Sequence, residues 1–88
     1  MTIVNIFLKK PYIIGDMILT IIGNNIRRLR KEKGLRQIDL AIAVGIDSSY
    51  LSEIENKKRN PTILLLDNIA TVLEVSLIEL LSDNQHKD

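Results

Sequence analysis

The sequence predicts an all-α domain of five short helices behind an apolar N-terminal extension. Apolar residues recur every three or four positions between Ile26 and Leu81, the spacing of a single buried helix face. Gly34, Gly45 and Pro61 interrupt that recurrence, and residues suited to capping a helix stand beside the interruptions. The connections between periodic segments are brief, and no internal repeat or low-complexity stretch appears.

The first helix is expected over residues 24–33, with Asn24 as its cap, Ile26 and Leu29 on its inner face, and Gly34 as a left-handed stop before Leu35. The second spans 36–44, where Ile38, Leu40, Ala41 and Val44 form the buried stripe. Asp47 or Ser48 caps the third, which runs to about Asn56 with Leu51 and Ile54 inward and Ser48, Ser49, Ser52 and Glu53 outward. Pro61 and Thr62 open the fourth, to Leu73, with Leu65, Leu66, Ile69 and Leu73 as its core stripe. Ser76 caps the last, Leu77 to Ser82, with Glu79 at its third helical position.

Residues 1–21 have a different character. TIVNIFL and MILTII are rich in Ile, Val and Thr, and Gly15-Asp16 lies between two apolar runs, which favours a β-hairpin over an added helix or a loose tail. An isolated hairpin is marginal in water, so such a ribbon would want a partner and is a candidate dimerisation arm. Met17 is an alternative first residue, which would make the preceding segment dispensable. Residues 22–82 then form the folded domain, and 83–88 a polar tail.

Composition narrows the function. A chain of 88 residues holds one small domain, with no room for a deep catalytic cleft beside its core. Hydrophobic residues at 45% and charged residues at 26% mark it as globular. The absence of cysteine removes disulfides and thiolate-ligated zinc and suits a reducing cytoplasm. The single histidine, His86, falls in the tail SDNQHKD, so no Ser-His catalysis is expected. Neither an enzyme, nor a cofactor, nor a metal site is expected. Lys9, Lys10 and Pro11 break the first apolar run well short of the roughly 20 residues that span a bilayer, and no signal peptide or membrane span is read.

The net charge is only +1, but its distribution is uneven. Arg27, Arg28, Arg30, Lys31, Lys33 and Arg36 stand against Glu32 alone; Asp39, Asp47, Glu53 and Glu55 follow; then come Lys57, Lys58 and Arg59. Two basic clusters therefore flank the segment centred on Gly45. Two helices crossing steeply through a turn of three or four residues need a small residue at the contact, here Ala41, and a glycine free to take a positive φ, here Gly45. The segment reads as a helix-turn-helix.

The run RRLRKEKGLRQIDLAIAVGIDSSYLSEIENKKRNPTILLLDNIATVLEVSLIELL resembles the lambda-repressor and Cro-like helix-turn-helix domains of the xenobiotic-response-element type, over nearly all of residues 22–82. The resemblance rests on Gln37 opening the second helix, LA before the turn glycine, YLSEIE, Pro61 after a basic loop, and LDNIATVLEVSLIELL. It implies a compact five-helix fold whose third helix enters the DNA major groove.

By the same resemblance, Ser48, Ser49 and Glu53 match base-facing positions, with Tyr50 and Ser52 beside them. Gln37 matches a phosphate-binding glutamine, and Arg36, Asn56, Lys57, Lys58, Arg59 and Asn60 match contacts to the DNA backbone. Arg30 and Glu55 match an internal ion pair between the first and third helices. Leu77, Ile78, Leu80 and Leu81 are more apolar positions than a short last helix needs for itself, and are candidate dimer contacts. For the serines the competing reading is an ordinary solvated face; for Tyr50 it is packing against the first helix.

Two departures stand out. Lys57 occupies a position where the family often has glycine, so Asn56 or Lys57 must take the strained turn at about 1 kcal/mol. The base-facing set of short serines and one acid leaves the DNA sequence unread, although Glu53 can accept from a cytosine amino group. The expected function is a sequence-specific, double-stranded-DNA-binding transcriptional regulator, a repressor or self-regulating controller, acting as a homodimer on an inverted repeat. The alternative is an antitoxin or adaptor that uses the same fold to hold a protein partner.

Overall fold

The computed structural model describes residues 2–83, with side chains described from Met17 onward. It contains five helices: α1 (Thr2–Glu32), α2 (Gln37–Val44), α3 (Ser48–Glu55), α4 (Ile63–Leu73) and α5 (Leu77–Leu81). No strand occurs among the described residues, and none of the described helices is long and apolar enough to cross a membrane.

α1 corrects the expectation for the N-terminal segment. Its backbone is helical from Thr2, so the hairpin expected within residues 1–21 is replaced by the added helix, and Asn24 lies inside α1 rather than capping it. Extending an existing helix adds one hydrogen bond per residue fixed, whereas a β-ribbon with no further strand has little to pack against. Of the expected dimerisation arm, the side chains of residues 1–16 lie outside those described.

Each of the first four helices closes in the same way. After α1, α2, α3 and α4, one N–H returns five residues to a carbonyl: Leu35 to Arg30 at 3.0 Å, Ile46 to Ala41 at 3.0 Å, Lys58 to Glu53 at 2.8 Å and Val75 to Ala70 at 3.0 Å. A left-handed residue makes the turn each time. Gly34 and Gly45 do so with φ of 72° and 88°, whereas Lys57 and Glu74 do so as non-glycines with φ of 65° and 63°. Lys57, rather than Asn56, therefore takes the turn after α3. Glu74 is a second such position that the sequence did not reveal.

The helix starts are less uniform. Thr62 Oγ1 accepts from the Leu65 N–H and Ser76 Oγ from the Glu79 N–H, each at 3.1 Å, which fixes α4 and α5. Before α2, the Asp39 carboxylate accepts the Arg36 N–H at 2.8 Å. Asp47 stands at the cap position of α3 without a side-chain capping bond.

The core is built from Ile22, Ile26 and Leu29 of α1, Leu40 and Ala41 of α2, Leu51 and Ile54 of α3, Leu66, Ile69, Ala70 and Leu73 of α4, and Leu80 of α5. α4 has the fullest buried stripe, at i, i+3, i+4 and i+7. Ile38, expected in the stripe of α2, is instead exposed, and Leu65 is half-buried. α1 meets the end of α3 at Gly23, where an added Cβ would lie 2.8 Å from the Glu55 carbonyl oxygen and 2.9 Å from that of Ile54. A polar contact stands two residues further along α1. Asn25 is fully buried, and its Nδ2 donates to the carbonyls of Leu80 and Ser82, each at 2.8 Å. Those carbonyls belong to the end of α5, which has no intrahelical partner for them.

Candidate nucleic-acid interface

α2 and α3 are joined by Gly45, Ile46 and Asp47. Leu40 and Ala41 on one side and Leu51 and Ile54 on the other are buried, which fixes the inner face of α3. The remaining face carries Ser49, exposed, with Ser48, Ser52 and Glu53 partly exposed. These are short polar side chains on a rigid helix, able to approach another surface closely.

The rear of this unit is held by charge. Arg30 grips Glu55 with two bonds, Nε to Oε2 at 2.7 Å and Nη2 to Oε1 at 3.0 Å, and its Nη1 donates to the Leu35 carbonyl at 2.8 Å. Gln37 Nε2 donates to the same Glu55 at 2.9 Å, and Arg27 Nε lies 3.5 Å from it. One buried carboxylate thus ties α1, α2 and α3 together. Burial alone would push the Glu55 carboxyl up, but the hydrogen bonds from Arg30 and Gln37 and the charges of Arg30 and Arg27 outweigh it and hold the group below the usual carboxylate range.

The expected contact residues fall into three groups. Lys57, Lys58 and Asn60 are exposed and carry no side-chain hydrogen bond or ion pair among the described residues. Arg36 and Gln37, at the start of α2, already have partners. Two nitrogens of Arg36 donate to Asp39 at 3.0 and 2.9 Å, and this bonding lowers the Asp39 carboxyl to about 2. At the end of α3, Asn56 Nδ2 donates to the Ser52 carbonyl at 2.9 Å, while its Oδ1 accepts from Arg27 Nη2 at 3.3 Å. Glu53 Oε1 accepts from Arg59 Nε at 2.7 Å, and the Arg59 guanidinium carbon lies 4.9 Å from the centre of the Tyr50 ring. Tyr50 is half-buried and packs against the core, so one face of its ring supports the domain while another supports Arg59.

The last helix divides the candidate dimer contacts. Ile78 is 75% exposed and Leu81 39%; Leu77 is half-buried against the core. Leu80 is fully buried and belongs to the core, which corrects its assignment as a dimer contact. A helix of five residues has few positions that point straight inward, and the packing of α5 against α1 and α4 gives that place to Leu80. Sequence reasoning placed Arg27 only in a basic cluster and gave no role to Gly23 or Asn25. Arg27 precedes Arg30 by three residues on α1, a spacing that places the two on neighbouring positions of one face. No group of three or more His, Cys, Asp or Glu suited to holding a metal occurs among the described residues.

A helix-turn-helix family model matches residues 26–80. An uncharacterised HTH-type transcriptional regulator of Sinorhizobium fredii, y4dJ, is 42% identical over 70% of this chain and 80% of its own. The control protein C.MunI of a Mycoplasma species is 44% identical, over 69% of this chain and 84% of its own. The crystal structure of SinR, master regulator for biofilm formation, in complex with DNA superposes with a TM-score of 0.66 at 44% identity, over 69% of this chain and 98% of that one. With its turn at Gly45, its inward Leu51 and Ile54, and its match across residues 26–80, the chain belongs to the helix-turn-helix family.

Proposed function

We infer that this chain is a sequence-specific, double-stranded-DNA-binding transcriptional regulator acting as a homodimer on an inverted repeat, as a repressor or a controller of its own expression, in the cytoplasm. The observation that carries this reading is the polar outer face of α3, held rigidly on a buried core and bordered by Lys57, Lys58 and Asn60, whose side chains are exposed and unengaged among the described residues. Related proteins support it: SinR has been solved on DNA, and C.MunI is a control protein.

In this mechanism Lys57 and Lys58 neutralise phosphates and give affinity, while Ser48, Ser49 and Ser52 meet base edges and give discrimination. Gln37 offers the second hydrogen of its amide to a phosphate while the first stays on Glu55. One subunit reads a few base pairs only, so a pair of subunits, joined through Ile78 and Leu81, would place two α3 helices about one DNA turn apart.

The test is selection of bound sequences from a random duplex pool at about 0.15 M salt, with light scattering of the free protein. An inverted repeat bound by a dimer is expected. Sequence-blind binding, or none, would leave the partner-holding adaptor or antitoxin as the better account.

A further inference from the structure

We propose that Arg59 reads a guanine base edge, with Glu53 and Tyr50 as the residues that position it. This rests on the DNA-binding reading above, and it changes the role that the family resemblance implies for Arg59, which is a contact to the DNA backbone.

The left-handed turn at Lys57 and the Lys58 N–H bond to the Glu53 carbonyl bring the chain back along α3. Arg59 consequently lies beside a residue six positions earlier. Glu53 Oε1 accepts its Nε–H at 2.7 Å, which fixes one edge of the guanidinium, and the Tyr50 ring 4.9 Å away supports one face. A planar fork held at an edge and a face has its orientation set before any ligand arrives. The two terminal nitrogens make no hydrogen bond among the described residues, and about half of the side chain is exposed. Those two nitrogens are the pair that matches the O6 and N7 acceptors of guanine in the major groove.

Charge favours the same assignment. A phosphate anchor needs net positive charge and little orientation, and Lys57 and Lys58 have the first without constraint. Arg59 is already neutralised by Glu53, so it is a poor source of counterion release. Glu53 would itself be repelled by the phosphate backbone if it stood alone, and its pairing with Arg59 makes it tolerable near DNA. Its Oε1 is engaged by Arg59, and in this proposal that bond makes it a positioning residue rather than the reader of a cytosine.

The experiment compares wild type, Arg59→Lys and Arg59→Ala by selection from the random duplex pool, then measures binding to the wild-type operator across salt concentrations. Circular dichroism melts confirm that each variant is folded. Lysine keeps the charge and can hold a phosphate or reach a guanine acceptor, but lacks the planar fork; alanine has neither. The expected result is that Arg59→Ala loses a guanine at one position of each half-site and keeps the rest of the motif, with operator affinity lower by roughly 5- to 150-fold, while Arg59→Lys keeps that guanine only at reduced preference. Replacing that guanine by 7-deazaguanine, which lacks N7, should weaken wild type and leave Arg59→Ala unaffected. Tyr50→Leu, which leaves Arg59 in place without its platform, should reduce the same preference. The proposal is overturned if Arg59→Ala keeps every base preference, or if it weakens all duplexes alike and lowers the salt slope by about one. Failure of wild type to select any motif would instead defeat the DNA reading, and this inference with it.

Discussion

Gln37 Nε2 donates to Glu55 Oε1 at 2.9 Å, joining the first residue of α2 to the last residue of α3. The residue expected to seat the reading helix on a phosphate is thus already held by the carboxylate at that helix's far end. Replacing it by Leu removes a donor from a buried acceptor that keeps Arg30, so a stability loss of about 1 kcal/mol is expected in urea titrations. Affinity should fall by a similar factor for operator and random duplex. A loss confined to the operator would contradict the role given to Gln37.

Acid should unfold the domain by releasing Glu55. Its carboxyl is lower in the folded state than the ordinary value of about 4.3 because Arg30, Gln37 and Arg27 outweigh its burial. A depressed folded value gives stability that is complete above the ordinary one and is lost as pH falls through the folded one. Asp39, lowered to about 2 by Arg36, acts in the same direction, and its share disappears only at the acid extreme. Urea midpoints should therefore be level from about pH 7 to 5 and fall towards pH 2. Glu55→Gln should flatten that fall. Arg30→Met, which leaves the carboxylate buried without its main partner, should cost about 3–5 kcal/mol at neutral pH.

At Gly23 the close approach of α1 to α3 leaves no room for a methyl group, because its neighbours would be the backbone oxygens of Ile54 and Glu55. Alanine normally stabilises a helix interior by up to about 1 kcal/mol relative to glycine. Here Gly23→Ala should instead destabilise by about 1–3 kcal/mol, through displacement of one helix from the other. A raised melting temperature would show that the interface can open without loss.

Lys57 gives opposite signs for stability and binding. Lys57→Gly relieves the left-handed strain and should stabilise by up to about 1 kcal/mol, yet it should weaken binding to every duplex and reduce the salt slope by about one. Ser49→Ala, on the outer face of α3, should leave slope and stability unchanged and shift the preferred sequence. Similar effects of the two substitutions across a panel of duplexes would refute the division between backbone and base contacts.

Much of the domain was legible because its signals are local. Gly34 and Gly45, the capping hydroxyls of Thr62 and Ser76, and the stripes Leu51/Ile54 and Leu66/Ile69/Leu73 each act within a turn or two of themselves. The features that escaped depend on distant chain. Glu74 gives no sign of its left-handed turn in the local sequence, since a glutamate there is tolerated by the packing of α4 and by the ion pair with Lys33. Leu80 is one of several equivalent leucines until the packing of α5 against α1 and α4 selects it. Residues 2–21 have β-type composition, but that preference describes fit to a pleated surface, and no sheet is offered by the described residues. At the interface, the sequence indicated which residue types would face outward but not the clustering of Arg59, Glu53 and Tyr50, which depends on how the loop after α3 folds back.

The hydrogen bond from Asn25 to the Leu80 carbonyl joins positions 55 residues apart. Closing it, together with the Asn25 bond to the Ser82 carbonyl, gathers nearly the whole domain into one loop, among the most entropically demanding closures in the fold, so it is expected at the end of the folding reaction rather than in its nucleus. In kinetic terms it is a latch: Asn25→Ala should accelerate unfolding in stopped-flow measurements while leaving the refolding rate near wild type. Hydrogen exchange should show α5 opening before the remaining helices. The lifetime of the folded domain, and with it the time for which a DNA-reading face is presented, should then be set where the two ends of the domain meet, away from the turn at Gly45 that shapes it.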